Sequence, residues 1–535
     1  MAVMLARPAG ADELPFVQAP AHASFQSATW LESHDDRDAY EGNEPRRGIE
    51  AIGRMDLRLT SADWMLTTVG TGFGRLTARD DPAREDVVDL EEASLAGPVT
   101  SSLRVLAGDH RPRFGRGLVL DFTSGGGGCH GGGSPMSLRG GRVDLDAGPT
   151  KLTALGGLVH LPPLDPATEL VLEEREDAIG GARVEVHPSA RTTFSLSYAA
   201  ATLEPPEGSS SAGEQIAGFA AELDPPGAGL GLYAEAAYST LTVDARPQPG
   251  TAIYLAADYT VGPVTIMLEG KDYNRFKFTT IAPTFIPPEG AVPPAGGWPM
   301  APVLRYNAPP TLERMGELLP ADENTLGGRG TLTLRVSREV TVDVAYVKQF
   351  YFHARGDEPR AGENGYFSRG LEGQHVYGEL RLNLRSGVDM SAGGGVSGNV
   401  EVESGNQHAY ARHADARAEI PIYRGWSAAG VGEWRERLYV GDQATIGAVG
   451  LSVRSPHGIS VGGRYEYTDE FKDWDQDDQV VPRRHFFSLD GKVPFGPHEA
   501  FAVIGSTAGG LRCLDGACRI VPPFHGFRVG ARLRF

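Results

Sequence analysis

The sequence predicts an all-β chain closed on itself: a transmembrane, antiparallel, up-and-down β-barrel of about 24 strands, with roughly 22 to 26 as the range of the count. Three observations predict it. Apolar and polar side chains alternate with period two along almost the whole length, as in strands with one greasy and one wet face. Short turns and long polar loops alternate between these runs. No stretch approaches the ~20 consecutive apolar residues of a membrane-spanning helix, which leaves a membrane barrel open. Composition agrees, since 70 Gly and 38 Pro among 535 residues exceed the usual ~7% and ~5% and mark a chain full of turns.

In chain order, the first eleven residues, MAVMLARPAGA, carry a short apolar piece and an Ala9-Gly10-Ala11 cleavage pattern. They read as the tail of a signal peptide whose start is missing, with a disordered N-terminus as the alternative. Residues 12–23 form a lead-in, and 24–535 the barrel. The first strand is expected near Ser24 to Glu32. Further on, Val264, Ile266, Leu268, Phe276 and Phe278 separate from Glu269, Lys271, Tyr273, Arg275 and Lys277. Leu332, Leu334 and Val336 separate in the same way from Thr331, Thr333 and Arg335. Val376, Gly378, Leu380, Leu382 and Leu384 oppose Tyr377, Glu379, Arg381, Asn383 and Arg385, a load of charge that a buried sandwich strand would rarely carry. At the end, Phe527, Val529, Ala531, Leu533 and Phe535 alternate with Arg528, Gly530, Arg532 and Arg534.

Soluble antiparallel sheets also alternate, so the links decide. Short turns fall near Ala62, Pro98, Gly148, Pro188, Pro225 to Gly227, Gly262, Ser337, Gly387, Tyr423, Pro456 and Pro497. Long loops lie between them, the longest near Gly108 to Gly140, His160 to Gly180, Asn274 to Gly327, Phe352 to Gln374 and Glu470 to Pro482. A membrane barrel has this difference between its two ends, and an even strand number with both termini at the short-turn end. Backbone N–H and C=O groups cannot stay unpaired in hydrocarbon, so the first strand should pair with Phe527 to Phe535.

The net charge of −19 argues against a nucleic-acid partner. The three cysteines are too few for a disulfide scaffold or a four-ligand zinc site. Cys513 and Cys518 flank Leu-Asp-Gly-Ala, a tip short enough for one disulfide in an oxidising compartment, with two free thiols as the alternative.

The ending HGFRVGARLRF resembles the C-terminal β-signal of Gram-negative outer-membrane proteins, with Phe527, Val529, Leu533 and Phe535 as its apolar positions. The resemblance implies an outer-membrane location, outer-membrane lipid around the wall, and assembly by the barrel-assembly machinery. Three segments, AGDHRPRFGRGLVLDF (Ala107 to Phe122), NAPPTLERM (Asn307 to Met315) and GGLRCLDGACRIVPPFHGF (Gly509 to Phe527), are similar to a poorly characterised outer-membrane barrel family of unknown function. That likeness speaks for architecture and location rather than activity.

Asp109 with Arg104, Arg111, Arg113 and Arg116, relaxed by Gly115 and Gly117, reads as a Gly-kinked patch that lines or narrows a pore. Glu379, Arg381, Arg385, Arg532 and Arg534 complete the expected pore lining. Other motifs fail on context. Gly458 to Gly462 spells G-x-S-x-G but follows a Pro-His turn inside a strand. Gly393, Gly395 and Gly398 match G-x-G-x-x-G with no helix after them, and so read as a Gly-rich strand. His408 and His413 fall on opposite strand faces, leaving His413 in a polar wall with Asp415, Arg417 and Glu419. The acidic run Asp473, Asp475, Asp477 and Asp478 has Asp478 and Arg484 where an EF-hand needs Gly and Glu, and reads as a solvated loop. Cys129 and His130 sit in the Gly-rich tract Ser124 to Ser134 without a metal-ligand set, and the Pro-rich stretch Ala282 to Pro310 reads as a long loop that could serve as lid or plug.

With no catalytic set, cofactor or metal site, the expected function is passage of polar solutes through a porin-like or gated pore. Its lumen field would be shaped by the arginines. The alternatives are a structural sleeve around a periplasmic or lumenal partner such as a multi-haem carrier, with no C-x-x-C-H of its own, and less plausibly an outer-membrane enzyme.

Overall fold

The computed structural model describes residues 22–35, 47–61, 63–75, 87–122, 136–160, 177–203, 211–225, 229–276, 324–351, 371–401, 407–439, 442–469, 485–507, 510–514, 517–521 and 524–535. The signal-peptide reading, the Gly-rich and Pro-rich tracts, the Asn-Ala-Pro-Pro segment and the acidic run lie outside them. Among the described residues every regular element is a strand.

The barrel begins with β1 (His22–Asp35). Eleven hairpins closed by short turns include β2 (Arg47–Ser61) with β3 (Trp64–Arg75), and β4 (Val87–Pro98) with β5 (Leu103–His110). After β5 the chain forms a small inner hairpin of β6 (Arg113–Phe114) and β7 (Leu120–Asp121). The wall resumes with β8 (Ser137–Ala147) and β9 (Thr150–His160), β10 (Ala178–Ser189) and β11 (Thr192–Leu203), β12 (Ala212–Leu223) and β13 (Leu230–Val243), and β14 (Arg246–Val261) and β15 (Val264–Asn274). It continues with β16 (Asn324–Arg335) and β17 (Val340–Tyr351), β18 (Leu371–Asn383) and β19 (Asp389–Glu401), and β20 (Gln407–Pro421) and β21 (Ser427–Tyr439). Then come β22 (Asp442–Arg454) and β23 (Ser460–Thr468), and β24 (His485–Phe495) and β25 (His498–Thr507). A second small hairpin, β26 (Gly510–Leu514) and β27 (Ala517–Val521), precedes the last wall strand, β28 (Phe524–Arg534). The wall is one 24-stranded antiparallel sheet.

Closure is the step that makes this sheet a barrel, and β1 pairs with β28 from Gln26↔Arg534 to Glu32↔Arg528. Phe25 and Phe535 exchange both backbone hydrogen bonds, at 3.0 and 2.7 Å. No edge of the sheet is left open, which satisfies the demand that hydrocarbon places on backbone polar groups.

Period two then sorts the two surfaces. Leu196, Val376, Leu451, Val461, Leu489 and Ile504 stand exposed on the outside as an aliphatic band. Exposed aromatic residues flank it, with Trp434 and Phe487 toward the long-loop end and Tyr423, Trp426, Phe495 and Phe535 toward the short-turn end. Such paired girdles mark the two interfaces of a bilayer.

The short turns owe their tightness to local chemistry. Gly148-Pro149, Gly262-Pro263 and Gly496-Pro497 each place Gly at φ 66, 56 and 64° ahead of a proline, the dihedrals of a type II′ hairpin. Ser337 Oγ accepts from the N–H groups of Glu339 and Val340, and Ser455 Oγ from that of Ile459.

Two features depart from the sequence reading. The long-loop end is not long throughout: Val243 pairs with Arg246, and Tyr439 with Asp442, so two of its links are two-residue turns. Asp244 and Ala245 adopt φ 47 and 63°, a conformation that disfavours L side chains by about 1–2 kcal/mol each. Ala245→Gly is therefore expected to stabilise the folded barrel by about 1 kcal/mol, read as a higher urea midpoint in detergent micelles. Secondly, Phe276 does not continue the outward row of Leu268. The strand ends at Asn274, Arg275 turns the chain at φ 50°, and Phe276 is fully buried against Tyr273, with ring centroids 6.3 Å apart. Lys277 and Phe278 lie outside the described residues.

Candidate functional site

The lumen holds the functional side chains, and its dominant feature is the segment between β5 and β8. At Gly108, φ 104°, β5 stops pairing with β4. Asp109 fills the opening: its carboxylate accepts from Ala93 N–H at 2.8 Å, from Ser137 Oγ at 3.2 Å and from Arg139 Nε at 3.0 Å. It is 2% exposed and so belongs to the wall seam rather than to a free pore surface.

Released from the wall, residues 111–122 fold inward as the β6–β7 hairpin, turning on Gly115 (φ 60°) and Gly117 (φ 98°). Phe114, Leu118, Val119, Leu120 and Phe122 are at most 2% exposed. They pack with Ile179, Ala199, Ile216, Ala237 and Tyr254, inner-face residues of β10 to β14. Each such burial is worth about 1.5–3 kcal/mol relative to exposure.

Small residues in the receiving wall leave room for the hairpin. A Cβ on Gly218 would lie 2.5 Å from Val119 Cγ2, and one on Gly181 would lie 3.1 Å from the Phe114 ring. At the hairpin tip, Arg116 N–H donates to Glu235 Oε2 at 2.9 Å and to the Tyr233 hydroxyl at 3.1 Å. The Arg116 guanidinium lies 4.2 Å from the Tyr233 ring centroid, a cation–π contact.

Elsewhere the inner face carries guanidinium–carboxylate pairs. Asp144 accepts from Arg142 at 2.9 Å and from Thr153 at 2.7 Å. Arg183 meets Glu185 at 3.0 Å, Arg329 meets Glu269, and Arg464 meets Glu466 at 2.6 Å and Glu433 at 3.3 Å.

The predicted pore-lining residues fall into this scheme unevenly. Arg381 is bound to Glu379 at 2.9 Å with Asp343 at 3.8 Å, and Arg532 to Glu499 at 3.3 Å. Arg104 sits opposite Asp144 in the β5–β8 register. Arg534 stands opposite Gln26 at the closing seam, its N–H donating to His498 Nδ1. Arg385 lies past the end of β18, at the short-turn rim, with Glu339 at 3.0 Å. Arg111, Arg113 and Arg116, expected together on one strand, are dispersed by the hairpin, with Arg111 reaching Glu92 at 3.6 Å and Arg113 reaching Asp121 at 3.3 Å. Phe527, Val529 and Phe535 are exposed on the outer face, and Leu533 shares their parity. The β26–β27 register places Cys513 directly opposite Cys518.

One cluster escaped the sequence reading. His413 does stand on the inner wall, but β18 brings His375 to it across β19, Nε2 to Nε2 at 3.1 Å. Tyr377 stacks on His413 at 5.6 Å and 8°. The Gly-rich strand β19 now has a reason: a Cβ on Gly395 would strike both imidazoles, and one on Gly393 would meet the Tyr377 hydroxyl at 2.5 Å. Head-on nitrogens at that distance suit an N–H···N hydrogen bond. Among the described residues no group of three or more His, Cys, Asp or Glu converges as a metal site. Ser460, the serine of G-x-S-x-G, opens strand β23 without a following helix.

No family model matches the chain, and no curated protein matches it. Similar solved structures include OccK5 (OpdH) of Pseudomonas aeruginosa, at TM-score 0.40 and 11% identity over 79% of this chain and 99% of that one. The siderophore receptor PirA from Pseudomonas aeruginosa is similar at TM-score 0.48 and 8% identity, over 96% and 80%. A BenF-like porin from Pseudomonas fluorescens Pf-5 gives 0.37 and 10%, over 75% and 98%.

Proposed function

We propose that the protein is a pore of the Gram-negative outer membrane that passes small polar solutes, narrowed from one side by the hairpin of residues 111–122. Barrels of about 16–18 strands already leave an aqueous channel, and those of about 22 strands enclose a plug, so a 24-stranded wall without inward structure would be a wide hole. The observation that carries the reading is the burial of Phe114, Leu118, Val119, Leu120 and Phe122 against one arc of the inner wall, which occupies part of the bore and leaves polar wall elsewhere. A sleeve around a protein partner would need that space. Single-channel recording of the purified chain in planar bilayers tests the proposal. Discrete, long-lived conductance steps are expected, and an insulating bilayer at every voltage would overturn it.

The same reading assigns Phe527, Val529, Leu533 and Phe535 as the assembly signal, and Cys513–Cys518 as a disulfide. The β26–β27 register sets Cys513 directly opposite Cys518, and antiparallel partners lie about 4.5–5.5 Å apart at Cα, a separation that a disulfide can span. Protein isolated from the cell envelope with its thiols blocked is expected to gain reactive sulfhydryls at both positions only after reduction. Labelling of both without reductant would refute the bridge.

A further inference from the structure

Many arginines of the inner wall are closed on acids, among them Arg142, Arg183, Arg329, Arg381, Arg464 and Arg532. On β8, β10, β18 and β23 the partner is two residues away on the same strand, as in Arg142 with Asp144 and Arg381 with Glu379. Two residues span about 6.6–6.8 Å of strand and return the side chain to the same face, so each station sets a guanidinium beside a largely covered acid, with side-chain exposures of 18% for Asp144, 19% for Glu185, 8% for Glu379 and 4% for Glu466. Reach differs among the pairs: at β18 the Arg381 side chain is 50% exposed and Glu379 only 8%, whereas in the cross-strand pair of β25 and β28 both Arg532 at 37% and Glu499 at 32% are open to the lumen. The arrangement differs from a one-sign ladder, which would draw in ions of the opposite sign.

We infer that the solutes taken by this lumen are small zwitterions, molecules carrying an ammonium and a carboxylate a few bonds apart, rather than anions; the inference rests on the pore reading above. An anion that approaches Arg381 meets Glu379 and Asp343 beside it, and must displace one carboxylate while being repelled by both. A zwitterion inserts in register, its carboxylate on the guanidinium and its ammonium on the acid, and both protein groups keep a partner. At the partly exposed Arg532–Glu499 pair opening is cheap, because solvent-exposed ion pairs contribute only about 0–1 kcal/mol. The chain's excess of acids, 69 against 50 Lys and Arg, adds a field that disfavours anions further.

Two measurements on the full-length protein test this. In planar bilayers under a KCl gradient, the reversal potential should sit near zero with a slight cation preference. In proteoliposome swelling, triglycine should enter severalfold faster than a dicarboxylate of similar size. Glu379→Gln and Glu499→Gln bare Arg381 and Arg532, and should swing the reversal potential toward anions and erase the triglycine advantage. Arg381→Gln and Arg532→Gln should swing the potential the other way. Glu499→Gln, at a partly exposed position, serves if Glu379→Gln fails to assemble, and heat-modifiable gel migration confirms the fold of each variant. Strong anion selectivity of the native pore, or variants that leave the reversal potential unmoved, would overturn the inference while the pore stands. A chain that conducts nothing removes the pore reading and this inference together.

Discussion

Excision of residues 111–122 is expected to raise single-channel conductance severalfold without unfolding the barrel. The reason lies in where the segment is anchored. The β6–β7 hairpin contributes no strand to the 24-stranded wall, so its loss breaks no ladder of that sheet. What it does contribute is volume: five large apolar side chains seated on small residues of the opposite arc. Gly218→Leu should reproduce the effect from the other partner, because even its Cβ would lie 2.5 Å from Val119 Cγ2 and the longer chain would evict the hairpin. Glu235→Gln should do so more weakly, by loosening the tip held through the Arg116 N–H. Paired recordings of the three variants would decide the matter. An unchanged conductance in the excised form would mean that the hairpin does not bound the conducting path.

Gly108→Val should have the opposite character and abolish assembly altogether. At φ 104° a residue other than Gly costs about 1–3 kcal/mol in backbone strain. Here the added Cβ would also fall on the carbonyl oxygen of Ala93, a backbone atom that cannot swing aside. Relief requires β4 to shift, which would withdraw the Ala93 N–H from Asp109 and with it the support of Ser137 and Arg139. The expected result is loss of the compact, heat-modifiable species on gels and degradation in the cell envelope. A variant that migrates as the native protein would show that the seam tolerates another path.

The architecture was legible in the sequence because a membrane wall writes itself twice, in the alternation of side chains and in the inequality of its links. All eleven short turns read from the sequence fall at strand junctions of one end, and the last strand closes on the first as parity required. What the sequence concealed depends on where loops go after they leave the wall. HRPRFGRGLVLDF reads as a basic, Gly-kinked strand, and nothing in its period announces that it turns inward and buries its apolar residues. A signal was present in the partner: β11 to β14 carry Ala199, Ala201, Ala212, Gly218, Ala220, Ala237 and Ala252 on the inner parity, where strands such as β18 carry charges. An inner wall so rich in small residues, its acids Glu214 and Glu235 buried, announces something lying on it. The His375–His413 pair was hidden for a different reason, since the two residues come from strands separated by a third and only the register of β18, β19 and β20 unites them.

The seam between β1 and β28 also sets a timetable for the cell. The two partners are the first and last strands of the wall, so the edge of β1 must wait, with its amides unsatisfied, until β28 has been delivered. Non-local pairings of this span are the slowest to form. A nascent barrel of this kind is thus an open ribbon for most of its production, vulnerable to proteases and to pairing with the wrong neighbour. Whatever escort accompanies it must shield that ribbon until Phe535 arrives at Phe25.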